Sequence, residues 1–193
     1  MEGLRQVEAG AERFEGADDA LLVRLALTEP AAFAQLYQRY LDRVYRYVYT
    51  YADCPEDAAD LTQHIFLRVL EALPSYDERG VPFGAWLFRI ARNAAVDAYR
   101  RRRKSLPWEH VPENLLPFAG PGPEEISVRR DELNQLRILV AQLDPAKQEL
   151  LALRFGGRLT SAEIAAVLGK SRAAVKKQIT RTLLTLKEQC GDR

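Results

Sequence analysis

The sequence has few residues that could form disulfides or bind metals. It contains two cysteines, Cys54 and Cys190, and two histidines. Neither cysteine has a second cysteine or a histidine nearby at the spacing of a zinc site. This composition is typical of an intracellular protein whose thiols stay reduced. We therefore expect no disulfide, no metal ion and no cofactor.

The sequence also lacks long apolar runs and β-strand patterns. Its polar, acidic start is unlike a signal peptide, and no apolar segment reaches the length of a transmembrane helix. No alternation of apolar and polar residues is long enough to indicate a strand, whereas apolar residues recur with a helical period almost throughout. These absences predict an all-α protein that is soluble, cytoplasmic and not inserted in a membrane.

The chain has no large excess of charge of either sign, because its formal net charge is +1. The charges are nevertheless unevenly distributed. Residues 61–105 carry nine bases and four acids, and residues 160–193 carry seven bases and three acids. The segments before and between them are acidic. Two basic segments separated by acidic ones indicate two separate contacts with a polyanion.

Proline and glycine are concentrated in one stretch. The segment "SLPWEHVPENLLPFAGPGPEEIS" contains five prolines and two glycines and has no sustained period. It predicts a flexible linker over residues 106–129. A loosely ordered start over residues 1–17 then precedes one small helical domain over 18–105, and a second follows over 130–190. Because such a linker imposes little geometry, we expect the two domains to move relative to each other.

Prolines and capping residues mark the ends of the predicted helices. Asp18 or Asp19 can cap the first helix. Pro30 and Pro55 suit first helical positions, as does Pro145 in the second domain. The pair Gly156–Gly157 is expected to end the helix that Pro145 begins.

A helix-turn-helix is indicated by "LTSAEIAAVLGKSRAAVKKQITRTLLTLKE". Thr160 and Glu163 form a capping box. Ala165, Gly169 and Val175 supply the small, turning and aliphatic residues at the offsets that the motif needs. The other predicted core residues are Ile164, Val167, Leu168, Ile179, Leu183 and Leu186.

The second helix of this motif carries a polar and basic face. Its residues are of the types that reach phosphates and base edges in a major groove, and Ser171 can also cap the helix. The alternative is a solvated basic face on an ordinary helical hairpin. The coincidence with the turn signature favours duplex DNA binding by Ser171, Arg172, Lys176, Lys177, Thr180 and Arg181.

The end of the first domain combines aromatic residues with a dense run of cations. Residues 100–104 are five consecutive cations, and their density favours contact with a phosphate backbone. Aromatics upstream can stack on exposed bases, which suits single-stranded or opened DNA. The alternative is that the aromatics are core and the arginines only solvate a helix end. The candidates are Tyr76, Phe83, Trp86, Arg89, Asn93, Arg100, Arg101, Arg102 and Arg103.

Taken together, these segments resemble the extracytoplasmic-function (ECF) group of bacterial RNA polymerase sigma factors, within the sigma-70 family. "DLTQHIFLRVLEAL" followed by "WLFRIARN" resembles sigma region 2, and "LDPAKQELLALRF" with the helix-turn-helix resembles region 4. The resemblance covers roughly residues 18–105 and 130–188. It departs from the family pattern at Ala173–Ala174 and Arg181–Thr182, which affects the bases expected to be read.

The resemblance implies a promoter-specificity subunit, not an enzyme. Region 2 would bind core RNA polymerase and the opened strand of the −10 element, with a flipped base held by the loop of residues 75–84. Region 4 would bind the −35 element as duplex. An anti-sigma factor is a further implied partner. The resemblance assigns polymerase binding to Asp57, Asp60, Leu61, Gln63, Phe66 and Leu67.

Two other classes of function fit parts of the sequence. A helix-turn-helix regulator that acts without polymerase would explain residues 130–188 but would leave the first domain without a role. A metal-dependent nuclease could use the carboxylates Asp53, Glu56, Asp57 and Asp60, with His64 on the same helix. However, acids in the first turns of a helix also favour its dipole, and no residue is placed as a general acid.

Overall fold

The computed structural model describes residues 14, 16–77, 80–105 and 135–191, with only the backbone of 102–105 and 191. Every regular element in these ranges is helical. The N-terminal half contains α1 (Asp19–Ala26), α2 (Pro30–Tyr49), α3 (Pro55–Ala72) and α4 (Phe83–Ser105). The C-terminal half contains α5 (135–141), α6 (Pro145–Leu151), α7 (Ser161–Leu168) and α8 (Arg172–Gly191). The all-α prediction is confirmed.

The first three helices begin where the sequence predicts. The carboxylate of Asp18 accepts a hydrogen bond from the backbone N–H of Leu21 at 2.7 Å and so caps α1. Pro30 and Pro55 occupy the first positions of α2 and α3. After α3 the chain tightens into a 3₁₀ turn over Leu73–Ser75, which contains Pro74, a residue that disfavours continuation of the helix.

An acidic residue at the start of α1 fixes that helix against α2. Asp19 accepts a hydrogen bond from the hydroxyl of Tyr40 and forms an ion pair with Arg39 at 2.6 Å. Arg39 also donates to the backbone carbonyl of Ala17 at 2.7 Å. Burial and the hydrogen bond to Asp19 raise the pKa of Tyr40 well above its ordinary value. The hydroxyl therefore stays protonated, and remains a hydrogen-bond donor, further into the alkaline range than an ordinary tyrosine.

Helix α6 begins with a side-chain cap in front of Pro145, the proline predicted at its first position. The Asp144 carboxylate accepts from the backbone N–H of Lys147 at 3.0 Å and pairs with its ammonium at 2.8 Å. These contacts lower the pKa of Asp144. Helix α6 then passes directly into a π-helical turn, Ala152–Gly156. The glycine pair ends this helical segment; Gly157 has a right-handed φ of −72°, and the left-handed residue is the following Arg158, with a φ of +50°.

One hydrophobic core joins the two halves. Fully buried side chains from α2 and α4, such as Tyr47 and Phe88, belong to the same cluster as Leu150, Leu153 and Ile164 of the C-terminal half. A smaller cluster formed by Val140, Leu151 and Leu186 lies within the C-terminal half. The sequence predicts domains that move freely, whereas the structure packs them together. The predicted linker, 106–129, lies outside the described residues.

Candidate nucleic-acid and protein interfaces

Helices α7 and α8 have the geometry that the helix-turn-helix motif requires. The Thr160 backbone N–H donates to the Glu163 carboxylate at 2.8 Å, and the Glu163 N–H donates to the Thr160 hydroxyl at 3.2 Å, so the capping box is complete. Ala165 and Val175 are buried between the helices. Gly169 turns the chain with a left-handed φ of +65°. The predicted motif is therefore confirmed.

One side of α8 packs on the rest of the domain through Val175, Ile179, Thr182 and Leu186. The sequence predicts Leu183 in this core, and that prediction is wrong because its side chain is 40% exposed. Thr182 is 1% exposed instead, and its hydroxyl donates to the backbone carbonyl of Gln178 at 2.9 Å. This bond satisfies the hydroxyl and allows it to be buried.

The opposite side of α8 presents the polar residues predicted to read DNA. All six of them are exposed. The Ser171 hydroxyl accepts from the backbone N–H of Ala174 at 3.2 Å and so also caps the helix, as predicted. A capped helix with exposed cations on one face suits insertion into a major groove. The six residues are Ser171, Arg172, Lys176, Lys177, Thr180 and Arg181.

The aromatic candidates of the N-terminal half form a cluster at the start of α4. Tyr76 lies 4.9 Å from Trp86 and 5.8 Å from Phe83, measured between ring centroids. The Tyr76 hydroxyl donates to the backbone carbonyl of Val81 at 2.7 Å, across the loop. Phe83 is only 3% exposed, so it forms the floor of the cluster. Tyr76 and Trp86 remain half-buried and can offer ring surface to a base.

The polar candidates on α4 have different surroundings. Asn93, Arg100 and Arg101 are exposed. Arg102 and Arg103 belong to the same helix, but their side chains lie outside the described residues.

Two arginines of α4 contact the C-terminal half. Arg89 donates two hydrogen bonds to the backbone carbonyl of Ala166, at 2.9 and 2.6 Å. Arg92 forms a bidentate pair with Glu149, at 2.7 and 3.1 Å. The hydrogen bond to Glu149 raises the pKa of Arg92. The sequence alone gave no signal for these two partners.

The residues predicted to bind polymerase lie along α3. Asp57, Asp60, Gln63 and Leu67 are exposed, and Leu61 is half-buried. Phe66 is only 4% exposed and packs against Tyr37 with ring centroids 4.6 Å apart, so it supports the helix from beneath.

An exposed apolar pair extends the same surface. Leu67 is 60% exposed, and Leu70, one turn further along α3, is 45% exposed. Residues three apart share a helix face. Leu70 was not among the residues predicted to bind polymerase, although its place outside the core stripe of an amphipathic helix could have indicated it.

The structure gives no support to the nuclease alternative. Within the described ranges, no three His, Cys, Asp or Glu side chains converge as a metal site would require. Asp53, Glu56, Asp57 and Asp60 are all exposed near the start of α3, where they lie close to the positive end of the helix dipole. Among the described helices, none is both long and apolar enough to cross a membrane.

Comparisons with known proteins match both halves. The family model "Sigma-70 region 2" matches residues 36–105, and "Sigma-70, region 4" matches residues 139–188. The sequence is 36% identical over 169 residues to the ECF RNA polymerase sigma factor BldN of Streptomyces coelicolor. It is 34% identical over 134 residues to SigD of Mycobacterium tuberculosis. These alignments cover 86% and 68% of this chain but only 63% and 62% of the relatives.

A third relative is matched over nearly its whole length. The RNA polymerase sigma factor CnrH of Cupriavidus metallidurans is 34% identical over 175 residues, which cover 86% of this chain and 91% of CnrH. The solved structure of CnrH with the cytosolic domain of CnrY has a TM-score of 0.65 and 27% identity, and covers 90% of this chain and 97% of CnrH.

A more distant solved structure has the same fold. The sigma factor RpoE in complex with the anti-sigma factor NepR, from Bartonella quintana, has a TM-score of 0.60 at 20% identity. This match covers 81% of this chain and 94% of RpoE. With two matching family regions and a relative aligned along nearly its full length, the chain belongs to the ECF group of the sigma-70 family.

Proposed function

We propose that this protein is a promoter-specificity subunit of bacterial RNA polymerase that acts in the cytoplasm and is not itself an enzyme. It binds the core polymerase, recognises the −35 and −10 promoter elements and promotes DNA opening. One observation carries the proposal. This member of the sigma family has two separate surfaces suited to nucleic acid, one on α4 and one on α8.

Helix α8 reads the −35 element as duplex DNA. Its exposed cations provide phosphate contacts that position the helix, and its shorter polar side chains can reach base edges in the major groove. The left-handed Gly169 and the cap at Ser171 fix the direction in which α8 leaves the turn. Because Ala173 and Ala174 are exposed on its first turn, this part of the helix can approach the bases closely.

Helix α4 and the loop before it hold the opened strand of the −10 element. Tyr76 and Trp86 offer ring surface for stacking, and stacking on aromatic side chains contributes about 1–3 kcal/mol per base. That gain offsets the few kcal/mol needed to unstack a base from the duplex. The exposed Asn93, Arg100 and Arg101 follow along the same helix and contact the backbone and neighbouring bases.

Helix α3 docks on the core polymerase. Its exposed face combines the carboxylates of Asp57 and Asp60 with Gln63 and the apolar Leu67 and Leu70. A central apolar contact surrounded by charges is the usual anatomy of a protein interface, and the charges set its orientation and association rate. The basic clamp helices of the largest polymerase subunit are the expected partner.

An anti-sigma factor is the expected regulator. CnrH, which resembles this chain over nearly its whole length, was solved with the cytosolic domain of CnrY bound. A regulator of this kind would cover the polymerase-binding or the DNA-binding faces and so keep the protein inactive.

Two double variants test the assignment of surfaces. Asp60→Ala with Leu67→Ala should weaken core polymerase binding at least tenfold, because both side chains are exposed on the docking face. Lys177→Ala with Arg181→Ala should leave polymerase binding unchanged and weaken binding to a duplex −35 fragment. Since two phosphate contacts are lost, the slope of log K against log salt should decrease by about 2.

The same measurements separate the proposal from the regulator that acts without polymerase. Suppose that the unmodified protein binds duplex DNA but neither co-purifies with core polymerase nor binds purified core polymerase. In that case the protein is a helix-turn-helix regulator that acts without polymerase. If both double variants reduce polymerase affinity equally, the two surfaces are assigned incorrectly.

A further inference from the structure

The outward side of α8 changes character along the helix. Four exposed cations lie between Arg172 and Arg181, but the next two exposed residues, Leu183 and Leu184, are apolar. The part from Ser171 to Arg181 spans about 15 Å at about 1.5 Å per residue, which is roughly four base pairs of duplex. Base reading by α8 is therefore concentrated in its first three turns or so.

Short polar side chains at this end of α8 are engaged within the chain. The Ser171 hydroxyl accepts the capping hydrogen bond from the backbone N–H of Ala174 at 3.2 Å. The side-chain oxygen of Gln178, which is half-buried, accepts from the ammonium of Lys170 at 3.3 Å. A glutamine that reads adenine uses both its oxygen and its nitrogen, so this contact holds Gln178 away from that role. Little capacity remains here for paired hydrogen bonds from short side chains to a base.

The first turn of α8 instead presents two methyl groups. Ala173 and Ala174 are both exposed, whereas the next residue, Val175, is buried. Ala173 shares the outward face with Lys177 and Thr180, because residues three and four apart are neighbours on a helix surface. A methyl group is the whole side chain of alanine, so the backbone can approach the base edges closely. Contact of alanine with the 5-methyl group of thymine is one of the pairings that distinguish bases in the major groove.

Cations flank the two alanines. With about 3.6 residues per turn, Arg172 and Lys176 lie to one side of Ala173, and Arg181 lies on the other side, in line with Ala174. Long cationic side chains can reach the phosphates that border the groove and so fix the position of the helix. This arrangement leaves the short methyl groups facing the base edges between the two phosphate backbones.

We propose that Ala173 and Ala174 make this protein select thymine in the −35 element, through contact of their methyl groups with the 5-methyl group of the base. The inference rests on the proposed function and deepens it, because it names the chemical group that α8 recognises. The −35 element then contains at least one A·T pair that is read by its methyl group. Uracil, which differs from thymine only in lacking this methyl group, is a poor substitute at that position.

Replacement of thymine by uracil tests the inference with the unmodified protein. A promoter that core polymerase transcribes only with this protein is synthesised with each thymine of its −35 element, on either strand, replaced singly by deoxyuridine. At one or two positions the substitution should weaken binding of the polymerase complex about fourfold, the effect expected from one buried methyl group. The same substitution in the spacer between the two promoter elements is the matched control and should have no effect.

A double-mutant cycle assigns the contact to the alanines. Ala173→Gly with Ala174→Gly removes both methyl groups, so the thymine and uracil promoters should bind equally well. Ala146→Gly alters an exposed alanine in the first turn of α6 and should keep the fourfold preference. Thr180→Ser removes the other methyl group on this face but keeps the hydroxyl. It should also keep the preference for thymine, whatever its overall affinity.

Each outcome bears on a separate claim. If every thymine of the −35 element can be replaced without loss, the inference is overturned and the proposed function stands. A preference that persists in the glycine double variant, or that disappears in Thr180→Ser, shows that the alanines do not make the contact and also overturns it. Should the glycine double variant fail to fold, the uracil series on the unmodified protein and the Thr180→Ser result still decide. If the unmodified protein supports no transcription from any promoter, the proposed function fails and this inference fails with it.

Discussion

At the scale of single residues, side-chain burial distinguishes residues that support the core from residues that are exposed for binding. The sequence pattern does not make this distinction. Phe66 and Leu67 are neighbours in the sequence and were both predicted to bind polymerase. The structure buries Phe66 against Tyr37 and leaves Leu67 largely exposed. Periodicity predicts which face of a helix is apolar, but it does not define the edge of that face. Residues beside the edge, such as Leu183 and Thr182, are therefore the ones predicted least well.

Phe66→Ala should affect stability, whereas Leu67→Ala should affect polymerase binding. Phe66→Ala should reduce the free energy of unfolding by about 3–5 kcal/mol, because it leaves a cavity beneath α3. Leu67→Ala should change stability little and should weaken core polymerase binding. Denaturant unfolding and a polymerase binding assay on both variants check this. A stable Phe66→Ala variant with reduced polymerase affinity would place Phe66 in the interface instead.

At the scale of elements, the strongest local signals predicted helix ends correctly. The capping box at Thr160, the cap at Asp18 and the first-position prolines each depend on chemistry within three or four residues, which a sequence displays directly. Gly156–Gly157 was predicted as an ordinary helix end. The structural reason for these glycines is the approach of a helix from the other half, and no local pattern could indicate that.

Gly169 gives an element-scale prediction. Its φ of +65° lies in the left-handed region, and a Cβ there would meet nothing within 4 Å, so any cost of substitution comes from the backbone alone. Gly169→Ala should reduce stability by about 1–2 kcal/mol. Gly169→Asn should lose less, because asparagine tolerates this conformation. Thermal unfolding of both variants measures the difference; equal losses would show that backbone strain is not the cause.

At the scale of the whole molecule, the sequence predicted two helical halves and the surfaces they carry, but not their packing. The contacts that join the halves connect arginines of α2 and α4 to a carboxylate and to backbone carbonyls far away in the chain. A backbone carbonyl exists at every residue, so the sequence carries no mark of the ones that will be used. The predicted polyanion contacts, in contrast, rest on local excesses of positive charge, which the sequence displays directly.

We propose that the two halves serve one event, the opening of a promoter already bound to polymerase. Run-off transcription with purified bacterial core polymerase, on a library of promoter fragments with and without this protein, tests it most directly. We expect protein-dependent transcripts whose templates share sequence elements about 10 and 35 base pairs upstream of the start. No protein-dependent transcript, together with no binding of core enzyme, would contradict the account.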